Sequence, residues 1–150
     1  MPQSLAKIYI HLVFSTKNRE SFLTDTIRYD LHAYMATSLN NLQCPVVLMN
    51  SIEDHIHTLF RLSRTIAIST AVEEVKKLSS KWLKTQSTAL QSFAWQNGYG
   101  AFSVSESNVP AVCEYITNQR EHHRTNTFQD EYRAMLKRHG IQYDERYVWD

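Results

Sequence analysis

The stretch Glu53-Asp54-His55-Ile56-His57 sets two imidazoles two residues apart at the start of a run, HIHTLFRL, that reads as a β-strand. On a strand, residues i and i+2 point to the same face, so His55 and His57 project side by side, roughly 7 Å apart at their Cα atoms. That is close enough for both rings to converge on one ion. Ile56, Thr58, Phe60 and Leu62 line the opposite face, which suits a core on one side and a site on the other. A His-x-His pair is also ordinary filling for a half-exposed strand face, and the pattern alone leaves both readings open.

A second stretch, Val112-Cys113-Glu114-Tyr115-Ile116-Thr117-Asn118-Gln119, carries a phenol and an amide at helical spacing. Tyr115 and Gln119 are i and i+4 and share a face, with His122 one turn further along, in reach as a further ligand or a base. Val109, Val112, Cys113 and Ile116 form an apolar stripe beside them, so the helix can pack and still present the tyrosine. By itself such a pair is a packed aromatic with a solvated neighbour.

The elements that must position these residues follow from periodicity. Residues 7–15 alternate, with Ile8, Ile10, Leu12 and Phe14 on one face and Tyr9, His11, Val13 and Ser15 on the other. Residues 25–42 have helical spacing, with Thr24 or Asp25 as cap. After Cys44-Pro45 come two strands joined by a short turn, 46–50 and 55–62, hence an antiparallel hairpin. Residues 69–86 form a helix with a core stripe of Val72, Val75, Leu78 and Trp82, a cap at Ser69 or Thr70, and a basic stripe of Lys77, Lys81 and Lys84. A strand at 101–105 follows. A helix capped by Asn108, with Pro110 in its first turn, then runs to about His123. Thr127 and Asp130 form a capping pair for a last helix, ended by His139-Gly140. The order β-α-β-β-α-β with two appended helices is the split pattern of an α+β, ferredoxin-like (RRM-like) antiparallel sheet. No repeat, linker or low-complexity run divides residues 1–150, which read as a single domain.

Composition bounds the function. Apolar residues make up 43% of the 150 residues, with three Gly and three Pro, as expected of an ordered globular protein. The first residues lack the pattern of a secretory signal, and no stretch approaches the length of a membrane span, so a cytoplasmic protein is expected, with Cys44 and Cys113 as reduced thiols. Net charge is +1, so any basic footprint for nucleic acid must be local.

In combination, these residues resemble the HUH single-tyrosine transposases of the smallest bacterial insertion sequences. The landmarks run through most of the chain: Thr16-Lys17 and Arg19 after the first strand, Asp54-His55-Ile56-His57, the Lys-rich helix with Lys77, Ser79 and Ser80, Trp95, Gly98-Tyr99, and Tyr115-Ile116 with Gln119. The resemblance implies one divalent cation, Mg²⁺ or Mn²⁺, bound by His55, His57 and Gln119. It implies that Tyr115 attacks a phosphodiester of single-stranded DNA, becomes joined to the 5′ phosphate and frees a 3′ hydroxyl that later rejoins the strands. It further implies recognition of DNA hairpins and a homodimer in which the tyrosine helix completes its partner's site, with residues 105–108 as a hinge.

Elementary chemistry agrees with those roles. A free phenol has a pKa near ~10 and needs help to act as a nucleophile, which a cation supplies in part. A mixed nitrogen and oxygen donor set also suits Zn²⁺, and the absence of a nearby Cys favours Mg²⁺ or Mn²⁺. Lys17, Arg19, Arg61, Arg64, Lys77, Lys81 and Lys84 are the candidates for phosphate contacts, each equally readable as a solvated charge. Trp95, Tyr99 and Phe102 are candidates to stack bases, with core packing expected for at least two. Two rivals remain: a domesticated REP-associated nuclease serving repeated chromosomal sequences, and a non-catalytic nucleic-acid-binding module. The second is disfavoured because residues 7–15 and 101–105 lack the aromatic signature of RNA-binding sheets.

Overall fold

The computed structural model describes residues 2–150. Strands β1 (Ile8–Ser15), β2 (Val46–Ser51), β3 (His55–Leu62) and β4 (Gly100–Val104) form one antiparallel sheet in the order β2-β3-β1-β4. With α1 (Asp25–Asn41) and α2 (Ile68–Leu83) they make the expected β-α-β-β-α-β ferredoxin-like frame, followed by α3 (Val109–Thr117), α4 (Gln119–His122) and α5 (Phe128–Arg138). Two details depart from the sequence reading. Helix α2 starts from Ala67 as its cap, leaving Ser69 and Thr70 inside the first turn. The helix expected over 108–123 breaks at Asn118, whose φ of −92° and ψ of 24° leave helical geometry.

One face of the sheet presents Ile10, Leu12, Phe14, Ile56 and Phe60, and α1 and α2 cover it with Ile27, Leu31, Met35, Leu39, Val72, Val75 and Leu83. Those residues fall on one side of each helix, four apart in α1 and three then eight apart in α2, the stripe that drives an amphipathic helix onto a sheet. The other face carries the histidines, and it is buried as well. Val13 and Phe102 pack under Phe128, Tyr132, Met135 and Leu136 of α5, while Leu59 and Val104 pack under Ile116, with Val109 and Val112 of α3 alongside. The appended helices have apolar stripes of their own, and this face of the sheet is where both are removed from water.

Helix α5 is fixed at both ends and along its length. The Thr127 hydroxyl accepts from the Asp130 amide at 3.2 Å, the expected cap, and Gly140 closes the helix at φ +67°. Gly100 in β4 lets Tyr132 of α5 come close: a Cβ there would lie 2.9 Å from the Tyr132 hydroxyl. The tail folds back over this layer, with the Trp149 ring 5.9 Å from that of Tyr132 and the Gly98 amide donating to the Asp150 carbonyl at 2.7 Å. Among the described residues, no helix is long and apolar enough to cross a membrane.

Candidate active site

Strand β3 delivers His55 and His57 to the α3–α5 face, and both are fully buried. Each ring is held by one nitrogen. His55 Nδ1 lies 2.7 Å from Asp54 Oδ1, and His57 Nδ1 lies 2.8 Å from Nε2 of His11, which the adjacent β1 presents on the same face. Both Nε2 atoms therefore turn to the same point, where Glu131 Oε1 sits 3.3 Å from His55 and 3.0 Å from His57. Tying the second nitrogen of an imidazole is how metal-binding histidines are oriented.

Helices α3 and α4 bring the remaining predicted residues to this point. The Tyr115 hydroxyl donates to Glu131 Oε2, and its ring lies 5.8 Å from that of His57. Gln119 Oε1 lies 3.3 Å from His55 Nε2, while its amide nitrogen donates back to the Tyr115 carbonyl at 3.3 Å. The break at Asn118 does not separate the pair. Asn50 of β2 donates to the Ile116 carbonyl at 2.8 Å, replacing a helical bond lost at the break. His122 lies against Tyr115, rings 5.4 Å apart, with its Nε2 3.3 Å from Glu131 Oε2 but without a well-directed hydrogen bond.

Two residues at this centre had no chemistry assigned from the sequence, Glu131 and His123. His123 Nδ1 lies 2.7 Å from the Asn126 carbonyl oxygen, and its Nε2 lies 3.1 Å from Glu131 Oε1. One donor atom each from His55, His57, His123 and Glu131 lie within 4.8 Å of one another, close enough to hold one ion. A signal for Glu131 was present in the sequence. Phe128, Glu131, Tyr132 and Met135 are i, i+3, i+4 and i+7, so this acid sits on the buried stripe of its own helix.

Burial and charge pull the cluster in opposite directions. Burial works to raise the Glu131 carboxyl, but hydrogen bonds from His123, His55 and His57 outweigh it and hold the group far below the usual carboxylate range. For His55, burial works downward, and the Asp54 and Glu131 carboxylates overcome it, leaving the ring pushed up to about 9. Burial lowers His57 against the pull of Glu131, and it lowers His11 to about 3. Burial, reinforced by the Glu131 charge, holds the Tyr115 phenol well above its ordinary range. The phenol is thus kept protonated, its hydroxyl held by the Glu131 carboxylate.

The basic candidates divide by position. Lys17 and Arg19 follow β1, whose Ser15 pairs with His55, so they stand at the site's end of the sheet, with Arg19 over the Trp149 ring at 5.9 Å. Lys77 and Lys81 lie exposed on α2, which covers the opposite face, and Lys77 pairs with Glu74 at 2.8 Å. Trp95 and Phe102 are core residues, as expected for two of the three aromatics; Tyr99 is 37% exposed. A cavity of about 330 Å³ opens beside Tyr115, lined among others by His11, Ser103, Asn108, Arg138 and His139.

A ferredoxin-like sheet that gathers imidazoles, a carboxylate and a helix-borne tyrosine at one buried point has the makings of a metal-assisted phosphoryl-transfer site. The sequence model of the family described as "Transposase IS200 like" matches residues 4–119, and the chain belongs to that family. Two solved structures are similar. One, from Deinococcus radiodurans R1 and named for a transposase, is 21% identical with a TM-score of 0.62, covering 79% of this chain and 98% of that one. The other, a REP-associated tyrosine transposase bound to a REP hairpin, is 15% identical with a TM-score of 0.62, covering 82% of this chain and 73% of that one. At these identities the likeness is one of fold. No curated protein matches the chain.

Proposed function

We propose that this transposase-family chain nicks and rejoins single-stranded DNA through a covalent link between Tyr115 and a 5′ phosphate, with a divalent ion, Mg²⁺ or Mn²⁺, at His55, His57 and Gln119. One observation carries the reading: the Nε2 atoms of His55 and His57 and the hydroxyl of Tyr115 converge on opposite oxygens of one buried carboxylate, so the candidate metal donors and the nucleophile share one centre. When bound, the ion polarises the non-bridging phosphate oxygens and offsets the charge that develops on them.

The chain's own residues do the rest. Tyr115 Oη attacks phosphorus as its proton leaves along the hydrogen bond to Glu131 Oε2 and passes on to solvent, the Oη–P bond forms, and the bond from phosphorus to the 3′ oxygen breaks; that oxygen takes a proton from solvent. The reverse step, with a second 3′ hydroxyl as nucleophile, rejoins the strand. The phosphodiester bond energy is retained in the tyrosyl link, so no nucleotide cofactor is required. The cavity beside Tyr115 offers room for a nucleotide flanking the scissile phosphate, with Arg138 at its wall. Hairpin DNA is the substrate we favour, supported by the hairpin bound to the REP-associated neighbour.

Because the cluster is assembled within one chain, action of Tyr115 on its own subunit is the simpler arrangement. A homodimer that exchanges the tyrosine helix, pivoting at the exposed residues 105–108, is the second reading. We place the activity in the cytoplasm, at the nucleoid. The test is an SDS gel of protein incubated with labelled single-stranded hairpins from the flanks of its gene, with Mn²⁺ or chelator, beside Tyr115→Phe. A slow-migrating adduct that needs both metal and Tyr115 is expected; cleavage by Tyr115→Phe would remove the tyrosine from its role. Adducts only with repeated chromosomal hairpins would favour the domesticated nuclease, and binding without cleavage the non-catalytic module.

A further inference from the structure

The strongest unassigned feature is the pair of donors that α5 and the turn before it add to the His-x-His strand. Three imidazoles, His55, His57 and His123, each have Nδ1 engaged, by Asp54, by His11 and by the Asn126 carbonyl, at 2.7, 2.8 and 2.7 Å. Each then aims Nε2 at Glu131 Oε1, from 3.3, 3.0 and 3.1 Å. Three rings, each with Nδ1 engaged and Nε2 turned to one point, make a pre-oriented ligand set. Gln119 contributes less convincingly: its amide oxygen approaches only His55, and its nitrogen is committed to the Tyr115 carbonyl. His123 and Glu131 also lie beyond residues 4–119, outside the segment that the family model describes.

We infer that the ion is held by His55, His57, His123 and Glu131, a three-imidazole, one-carboxylate set that selects a transition metal such as Mn²⁺, Fe²⁺, Co²⁺ or Zn²⁺ over Mg²⁺. The inference rests on the metal-dependent reading above and revises its ligand set, replacing Gln119 by His123 and Glu131. Mg²⁺ prefers oxygen donors in octahedral geometry and keeps several waters, whereas imidazole nitrogens suit the later divalent metals. Gln119 becomes a positioning residue, bonded to the backbone of the nucleophile's own helix turn. Glu131 takes two tasks at once, one oxygen for the ion and the other for the Tyr115 hydroxyl.

Metal binding to the DNA-free protein tests this without reference to turnover. Co²⁺ titration followed by visible d–d absorption should show one site, with affinity lowered at least ~100-fold in Glu131→Gln and in His123→Ala, and nearly unchanged in Gln119→Ala. Millimolar Mg²⁺ should not displace the bound Co²⁺. If a variant fails to fold, electron spin echo spectra of wild-type protein loaded with Mn²⁺ decide the matter, since they count coordinated imidazoles. Three are expected; two, or ready displacement by Mg²⁺, or loss of Co²⁺ only in Gln119→Ala, would overturn the inference. The adduct assay separates the two levels: adduct with a two-imidazole ion sinks this ligand set alone, and a three-imidazole ion without adduct sinks the proposed function alone.

Discussion

A carboxylate taken out of water costs several kcal/mol unless its charge is answered, and Glu131, 4% exposed, is answered by imidazole nitrogens of His55, His57 and His123 and by the Tyr115 hydroxyl. Removing it leaves those groups facing one another. Glu131→Ala should therefore destabilise the metal-free protein by about 3–5 kcal/mol, read from its urea midpoint and slope. A second residue-scale effect lies outside the cluster. Burial, with help from Arg28, lowers His32 from 6.5 to about 4, where its Nε2 meets the Ser51 hydroxyl at 2.8 Å. The unfolded chain then binds more protons than the native one between those values, so this group's effect on stability is absent above pH 6.5, grows more adverse as pH falls from there to about 4, and is constant below. Urea midpoints at pH 7 and pH 4.5 should fall less in His32→Gln than in wild type. His55 and His57 were legible because strand alternation puts them together by rule. Glu131 and His123 were not, since an acid among the charges of DEYRAMLKR reads as solvated until the helix stripe is traced and its docking site is known.

The strands and helices show the same divide between local and non-local information. Alternation in β1 and β3 and the stripe of α1 depend on near neighbours, and those elements stand where periodicity puts them. At the break at Asn118 the Ile116 carbonyl is met by a long-range partner, Asn50 of β2, which no window along the chain contains. The second buried face of the sheet was missed for a similar reason: each appended stripe is visible, but which surface it covers is decided in three dimensions. Two element-scale expectations follow from how α5 is held. Gly100→Ala forces Tyr132 outward and should cost about 1–3 kcal/mol by overpacking, while also weakening metal affinity because Glu131 is Tyr132's neighbour on the same helix. Thr127→Ala removes only the cap and should cost about 1 kcal/mol with metal affinity little changed. Thermal melts and Co²⁺ titration of the two variants separate the effects.

On the scale of the whole molecule, charge is nearly balanced, and on the proposed function position decides which cations would reach DNA at the site. Lys17 stands at the sheet end that holds His55, whereas Lys81 lies on the helix layer across the sheet. Lys17→Ala should lower the slope of log K against log salt for single-stranded DNA by about 0.7, and Lys81→Ala should leave it unchanged; a fluorescence anisotropy titration at several salt concentrations reads both. The basic stripe on α2 was visible in the sequence, but its face of the molecule was not.

The donors of the cluster are far apart along the chain: 74 positions separate His57 from Glu131. At roughly 5–20 residues per second, the ribosome needs on the order of 4–15 s to travel from one to the other. During that interval the histidine pair exists without the carboxylate that brings it together with Tyr115. On the function proposed above, a growing chain would lack the capacity to cut until Glu131 is made and docked.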